Sequence, residues 1–251
     1  VPQHIYGRPN NLKVTIKHEN QEQYNKKAYM TKASLYQLSN EGSQVVLTGN
    51  SKYPSTTFVG YPDNPLYFPE NLVINSGNDS SAVKATASLK DRLLIFKEDG
   101  VYKADVKKDG FVLKQICSSI GVKWGNSVAA NENYVIFMGT DKKFYTVMPD
   151  DTVKEISGGM HRYTKLLFYP NTIFSVLSHS RYMFFADSTA YVLDLKTSDK
   201  SLDNPIWSRW IYPNDLKFVD GFSFGDDIGY ICKTTNEEYV RYYPAMTANR
   251  A

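Results

Sequence analysis

Long apolar runs are absent from this sequence. The longest, such as Leu93–Phe96 and Tyr182–Ala186, reach four or five residues, far short of the roughly 20 that carry a helix across a bilayer. No membrane span is therefore expected, and residues 1–20 hold no apolar core of the secretory kind, so no leader is expected within them. Cysteine is scarce. Cys117 and Cys232 are the two, both in apolar strand-like text, which predicts buried free thiols rather than a disulfide or a metal motif. Histidine is scarce too: His4, His18, His161 and His179 are scattered, with no pair at metal-binding spacing. Nor does charge of one sign dominate. The net charge is +3, from basic residues spread along the chain, which gives no support to a broad nucleic-acid surface.

Catalytic signatures are missing in the same way. There is no G-x-S-x-G elbow and no P-loop, so acyl transfer and nucleotide hydrolysis have no support in the motifs. A glycoside hydrolase needs two carboxylates at a defined separation. Asp187, Asp194, Asp226 and Asp227 are the candidates, but Asp187 and Asp226 fall at predicted turns, where Asp commonly caps its own backbone. No S-x-D-x-G-x-x-W box is present either. "KEDG" and "GDD" lack the alternating oxygen ligands of a calcium loop. These readings predict a protein that is not an enzyme and carries no cofactor and no metal.

What the chain has is aromatic residues, 19 Tyr and 13 Phe, with many β-branched ones. Such side chains suit pleated, half-buried surfaces. "LLIFKEDGVYKAD" (93–105) reads as a β-hairpin: an apolar run, a polar turn and a second alternating run. Similar text returns at "VIFMGTDKKFYTVM", "YMFFADSTAYVLDL" and "IGYICKTTNEEYVRYY". Aligned on Tyr102, Tyr145, Tyr191 and Tyr239, the copies are spaced by 43, 46 and 48 residues. Two weaker copies lie upstream, at Tyr36 and Tyr67. Six units of about 41 residues have the length of propeller blades.

The fourth unit parses into "SVAA", "YVIFMG", "KFYTVM" and "TVKEIS", and the third and fifth parse likewise. A lone four-stranded sheet cannot bury both faces, whereas blades in a ring cover one another. Central strands such as "LLIF" and "YMFF" are apolar on consecutive residues because both faces are covered. The fold expected is all-β, a β-propeller of about six four-stranded antiparallel blades. Residues 1–25 form an N-terminal extension and 26–251 the propeller. The sixth unit lacks an outer strand, which "LKVTIKHE" (12–19) or a neighbouring chain would supply to close the ring. "NKKAYMTKASLYQL" admits a helix by composition, but the strand reading is preferred. Phe96, Tyr102, Phe137, Tyr145, Phe185, Tyr191, Tyr230 and Tyr239 are the expected blade-core residues.

Two aromatic groupings stand out. "NPIWSRWIYP" puts Trp207, Arg209, Trp210 and Tyr212 on one strand, with Trp207 and Arg209 on one face and Trp210 and Tyr212 on the other. One face is a candidate platform for a sugar or a partner, with Arg over a ring. The alternative is that Trp210 and Tyr212 pack between blades. "SSIGVKWGNSVAA" sets Trp124 between Gly121 and Gly125, which reads as an inter-blade corner with glycines permitting backbone kinks.

Longer phrases carry a resemblance. "NPLYFPENLVINSGNDSSAVKATASLKDRLLIFKEDGVYKAD", "CSSIGVKWGNSVAANENYVIFMGTDKKFYTV" and "IWSRWIYP" resemble recurring text in the propeller-containing tail tube or nozzle proteins of short-tailed bacteriophages. The resemblance spans roughly residues 55–245. It departs at Lys142-Lys143, where the family often has Gly after Asp141, and at Pro69, where Ser is common. The resemblance implies a non-enzymatic structural component of the virion tail, assembled in the host cytoplasm and serving virion assembly, host attachment and genome ejection. Implied partners are other copies of the chain in a homo-oligomeric ring, neighbouring tail proteins and a host-surface glycan or receptor, with DNA only as passing cargo. The second reading is a lectin-like carbohydrate- or protein-binding propeller, and the third a propeller glycosidase.

Overall fold

The computed structural model describes residues 29–38, 42–62, 64–107, 110–199, 201–213, 215–234 and 237–243. They form five antiparallel sheets in chain order. Sheet 1 comprises β1 (Lys32–Leu38), β2 (Gly42–Thr48), β3 (Thr56–Val59) and β4 (Val73–Asn75). Sheet 2 comprises β5 (Val83–Leu89), β6 (Arg92–Lys97), β7 (Gly100–Lys107) and β8 (Gly110–Cys117). Sheet 3 comprises β9 (Ala129–Ala130), β10 (Val135–Met138), β11 (Phe144–Val147) and β12 (Val153–Glu155). Sheet 4 comprises β13 (Ile173–Leu177), β14 (Arg181–Ala186), β15 (Thr189–Asp194) and β16 (Ile206–Ile211). Sheet 5 has three strands, β17 (Lys217–Phe224), β18 (Asp227–Lys233) and β19 (Glu238–Tyr243). The only α-helix among the described residues is one turn, His161–Thr164, in the connection from sheet 3 to sheet 4, beside three short 3-10 turns. No helix there is long and apolar enough to cross a membrane.

Within each sheet, consecutive strands pair as hairpins, so the turns impose the strand order. First strands adjoin in sequence: β1 lies beside β5, β5 beside β9, β9 beside β13 and β13 beside β17. The sheets therefore stack face to face, and four apolar cores fill the four spaces between them. Central strands explain their own composition. In β6, Leu93 and Ile95 face sheet 1 while Leu94 and Phe96 face sheet 3. In β14, Tyr182 and Phe184 face sheet 3 while Met183 and Phe185 face sheet 5. Each fully buried large apolar side chain contributes about 1.5–3 kcal/mol relative to exposure, and here every residue of the run is buried on one side or the other.

Two expectations are corrected. The described residues form five sheets rather than six units, because the Tyr36 and Tyr67 copies belong to one sheet. Tyr36 lies in β1, and Tyr67 lies in the connection between β3 and β4. Polar residues fill this sheet where the others carry apolar runs: Gln44, Ser55, Thr56 and Thr57 are all buried. Cys117 is only partly buried, whereas Cys232 is fully so, and both are free thiols. The "LKVTIKHE" segment, His4, His18 and the 1–25 extension lie outside the described residues, and "ASLYQL" is strand.

Of the expected blade-core residues, Phe96, Tyr102, Phe137, Tyr145, Phe185, Tyr191 and Tyr230 are all buried. Tyr102, Tyr145 and Tyr191 occupy equivalent places, each facing the preceding sheet. Tyr239 pairs in register with Cys232, and its side chain lies outside the described set.

The glycines of the Trp124 corner are required for room rather than for an unusual φ. A Cβ on Gly121 would fall 2.0 Å from the carbonyl oxygen of Glu98, and one on Gly125 2.2 Å from that of Lys84. The corner thus lies directly on the backbone of sheet 2. Trp124 itself packs partly buried against the core between sheets 3 and 4, and its carbonyl accepts the Ser127 hydroxyl at 2.6 Å.

Candidate functional site

Strand β16 is the outer strand of sheet 4, and it divides its aromatic residues between two interfaces. Trp207 and Arg209 lie on the side facing sheet 3. The Trp207 indole donates to the Ile156 carbonyl at 2.6 Å and stacks on Phe144, with centroids 4.4 Å apart and planes 20° apart. Tyr182 meets it edge-on at 6.2 Å. Trp210 and Tyr212 pack on the sheet 5 side. Tyr212 meets Phe218 edge-on at 4.9 Å and accepts a hydrogen bond from the Tyr230 hydroxyl at 3.1 Å. The four residues are thus brought together by the strand but not onto one surface.

Arg209 is exposed, and the ring beneath it is not a tryptophan. Its guanidinium lies 4.1 Å from the centre of Tyr163, in the one-turn helix, and Arg162 lies 4.6 Å from the same centre. A cation over an aromatic face is an attractive arrangement. Nothing in the spacing of residues 163 and 209 announces this pair. The signal available was the apolar stretch "KLLFYP", which follows the helix and is too short for a strand of its own before Pro170.

The carboxylates act locally. Asp187, with φ +50°, accepts the backbone N–H of Asn171 at 2.7 Å and of Thr172 at 3.3 Å. Asp194 accepts from the N–H groups of Lys196 and Thr197. Asp226 is paired with His179 at 3.3 Å and Lys196 at 3.4 Å, and Asp227 opens β18. Of the calcium-loop text, Glu98 pairs with Lys84 at 2.7 Å. Among the described residues no three His, Cys, Asp or Glu side chains converge on one point.

The one fully buried charged side chain among the described residues is Lys97, at the end of β6. Its ammonium donates to the carbonyls of Ser76 at 2.6 Å and Asn78 at 2.8 Å, so it ties the connection out of sheet 1 to sheet 2. Burial holds its pKa below the ordinary lysine value, opposed by Asp99 and Asp79. A cavity of about 730 Å³ opens among the first strands of sheets 1, 2 and 3, lined by residues including Leu35, Thr86, Ser88, Lys90, Ala130 and Glu132. Its lining mixes polar and apolar groups without a convergent set of catalytic side chains.

The sequence matches no family model, and no curated protein matches it. Solved structures do resemble the fold. BamB from Moraxella catarrhalis matches 82% of this chain and 56% of its own length, at 9% identity and a TM-score of 0.54. YCF48 bound to D1 peptide matches 84% of the chain and 65% of its own, at 10% identity and 0.53. BBS1N in complex with ARL6DN matches 85% and 66%, at 14% identity and 0.54. The chain thus spans between 56% and 66% of the length of these structures. At such identities the likeness concerns fold alone, and the fold is that of the β-propellers.

Proposed function

We propose that this chain is a non-catalytic β-propeller module that binds macromolecular partners. The observation that carries this reading is the division of its aromatic side chains. Those on the strands of sheets 2 to 4 are taken up in sealing sheet against sheet, while the exposed large apolar residues include Leu166, Phe168 and Tyr169 in one connection, Leu66 and Tyr67 in another, and Phe222 and Phe224 on the outer face of sheet 5. Two of the similar structures hold a bound peptide or protein, which supports a binding role for a propeller of this shape without naming the partner. The sugar-stacking alternative has less to draw on, because Trp207 is already stacked on Phe144.

The finer reading is a structural component of a short-tailed phage tail, surrounded by copies of itself and neighbouring tail proteins. It rests on the phrases between residues 55 and 245. In this reading residues 12–19 pair beside β19 as the fourth strand of sheet 5, which has three strands where the others have four, and so help to close the ring. Co-expression with the neighbouring gene products, followed by negative-stain electron microscopy, tests it. Hollow rings or tubes are expected. Isolated discs that never assemble would remove the tail reading and leave the binding module. Deleting residues 1–20 should lower the melting temperature sharply, and an unchanged melt would reject closure by that segment.

A further inference from the structure

The connection from sheet 3 to sheet 4 carries groups that neither sheet uses. After the one-turn helix, Leu167 packs against the core between the two sheets. Its neighbours do not: Leu166, Phe168 and Tyr169 are 63%, 65% and 95% exposed. Four cations lie in or against the same connection. The Lys142 ammonium lies 3.9 Å from the centre of the Phe168 ring and donates to the Lys165 carbonyl at 3.0 Å. Lys165 is exposed, and Arg162 and Arg209 both lie against Tyr163. Several cations of the sheets have carboxylate partners, as in Lys143–Glu155, Lys103–Asp151 and Lys154–Asp203. Among the described residues no carboxylate pairs with Lys142, Arg162, Lys165 or Arg209. In a chain of net charge +3, this is a local, uncompensated patch with an apolar tip.

We infer that this connection docks on the surface of an anionic phospholipid bilayer. Leu166, Phe168 and Tyr169 enter the boundary between headgroups and acyl chains, and the four cations meet lipid phosphates. Interfacial binding of this kind scales with apolar area buried plus attraction to anionic lipid, and Tyr is favoured at that depth. The competing anionic polymer is a single-stranded nucleic acid, which needs open ring faces for base stacking. Here guanidinium groups lie over Tyr163, Lys142 lies over Phe168, and Leu166 offers a base nothing to stack on. Tyr169 alone presents an open ring, too little to stack successive bases, whereas a Tyr beside an exposed Leu suits the lipid interface. The inference does not depend on the tail reading.

Sedimentation of the chain with phosphatidylcholine vesicles containing about one third phosphatidylglycerol tests it. Co-sedimentation with these vesicles is expected, with little on pure phosphatidylcholine and weakening as salt is raised. The double variant Leu166→Ser, Phe168→Ser should reduce partitioning about tenfold, and Lys142→Ala with Lys165→Ala should reduce it on anionic vesicles only. The thermal melt of the Leu166→Ser, Phe168→Ser variant should match the parent, because those side chains are exposed, and loss of the half-buried Lys142 should cost little, since its contacts are confined to the connection itself. Failure to bind anionic vesicles, binding indifferent to the Leu166 and Phe168 changes, or retention on an oligothymidine column in place of vesicles would each overturn the inference.

Discussion

Sheets 4 and 5 are built from the same hairpin grammar but read differently residue by residue. In β14 every residue from Tyr182 to Ala186 is buried, because the strand has a neighbour on each face. In β18, Ile228, Tyr230 and Cys232 are buried toward sheet 4, while the residues between them, Gly229 and Ile231, belong to no core. On that second face Phe222, Phe224 and Val240 stand exposed, on the same side as Ile231 by register. A run of consecutive apolar residues thus marks a sheet covered twice, and alternation marks one covered once.

The comparison is most sharply broken by replacing one phenylalanine on each kind of face. Phe185→Ala should destabilise the chain by about 3–5 kcal/mol in a denaturant titration, since the ring is fully buried against Phe174, Phe218 and Tyr230. Trp207→Ala, on the other face of sheet 4, should fall near about 3 kcal/mol, losing the Phe144 stack and the Ile156 bond together. A loss of glycan binding without a loss of stability would instead restore the platform reading.

Lys97→Met moves the comparison to a polar tie and should cost about 1–3 kcal/mol, because the buried Ser76 carbonyl and the part-buried Asn78 carbonyl lose their donor. Its pH dependence has a definite sign. Burial lowers the folded-state pKa below the ordinary value of 10.5, so the unfolded chain binds the proton more tightly. Wild type should therefore gain stability relative to the variant as pH rises through the interval below 10.5, and a flat difference would contradict the burial argument.

Phe224→Ala should change stability by no more than about 0.5 kcal/mol; a core-sized loss would mean that another element covers the outer face of sheet 5. The smallest effect is chemical. Burial pushes the Cys232 thiol up to about 11, so a thiol reagent should modify the partly exposed Cys117 first and Cys232 only on opening of the sheet 4–sheet 5 interface. Equal labelling rates would show that interface to be loose.

Sheets 2 to 5 were legible strand by strand, because apolar runs and Asp, Asn and Gly turns alternate there with little else between. Sheet 1 was not. Its buried Gln44, Thr56 and Thr57 blur the apolar signal, and the Tyr67 copy proved to be a connection. The β16 alternation was readable from spacing alone, and it assigns Trp207 and Tyr212 to opposite faces as the structure does. The ring beneath Arg209 was not readable, since Tyr163 reaches it through a connection 46 residues away in sequence. The exposure of Leu166 and Phe168 was hidden for the same reason: an apolar residue in text looks alike whether a sheet covers it or not.

The arrangement of four cores among five sheets has a mechanical consequence. Among the described residues each core joins two neighbouring sheets, so these cores cover sheets 2, 3 and 4 on both faces and sheets 1 and 5 on one. Stability is then shared out layer by layer rather than held in a single centre. Amide exchange should be slowest in β6, β10 and β14, and faster in β2 and β18.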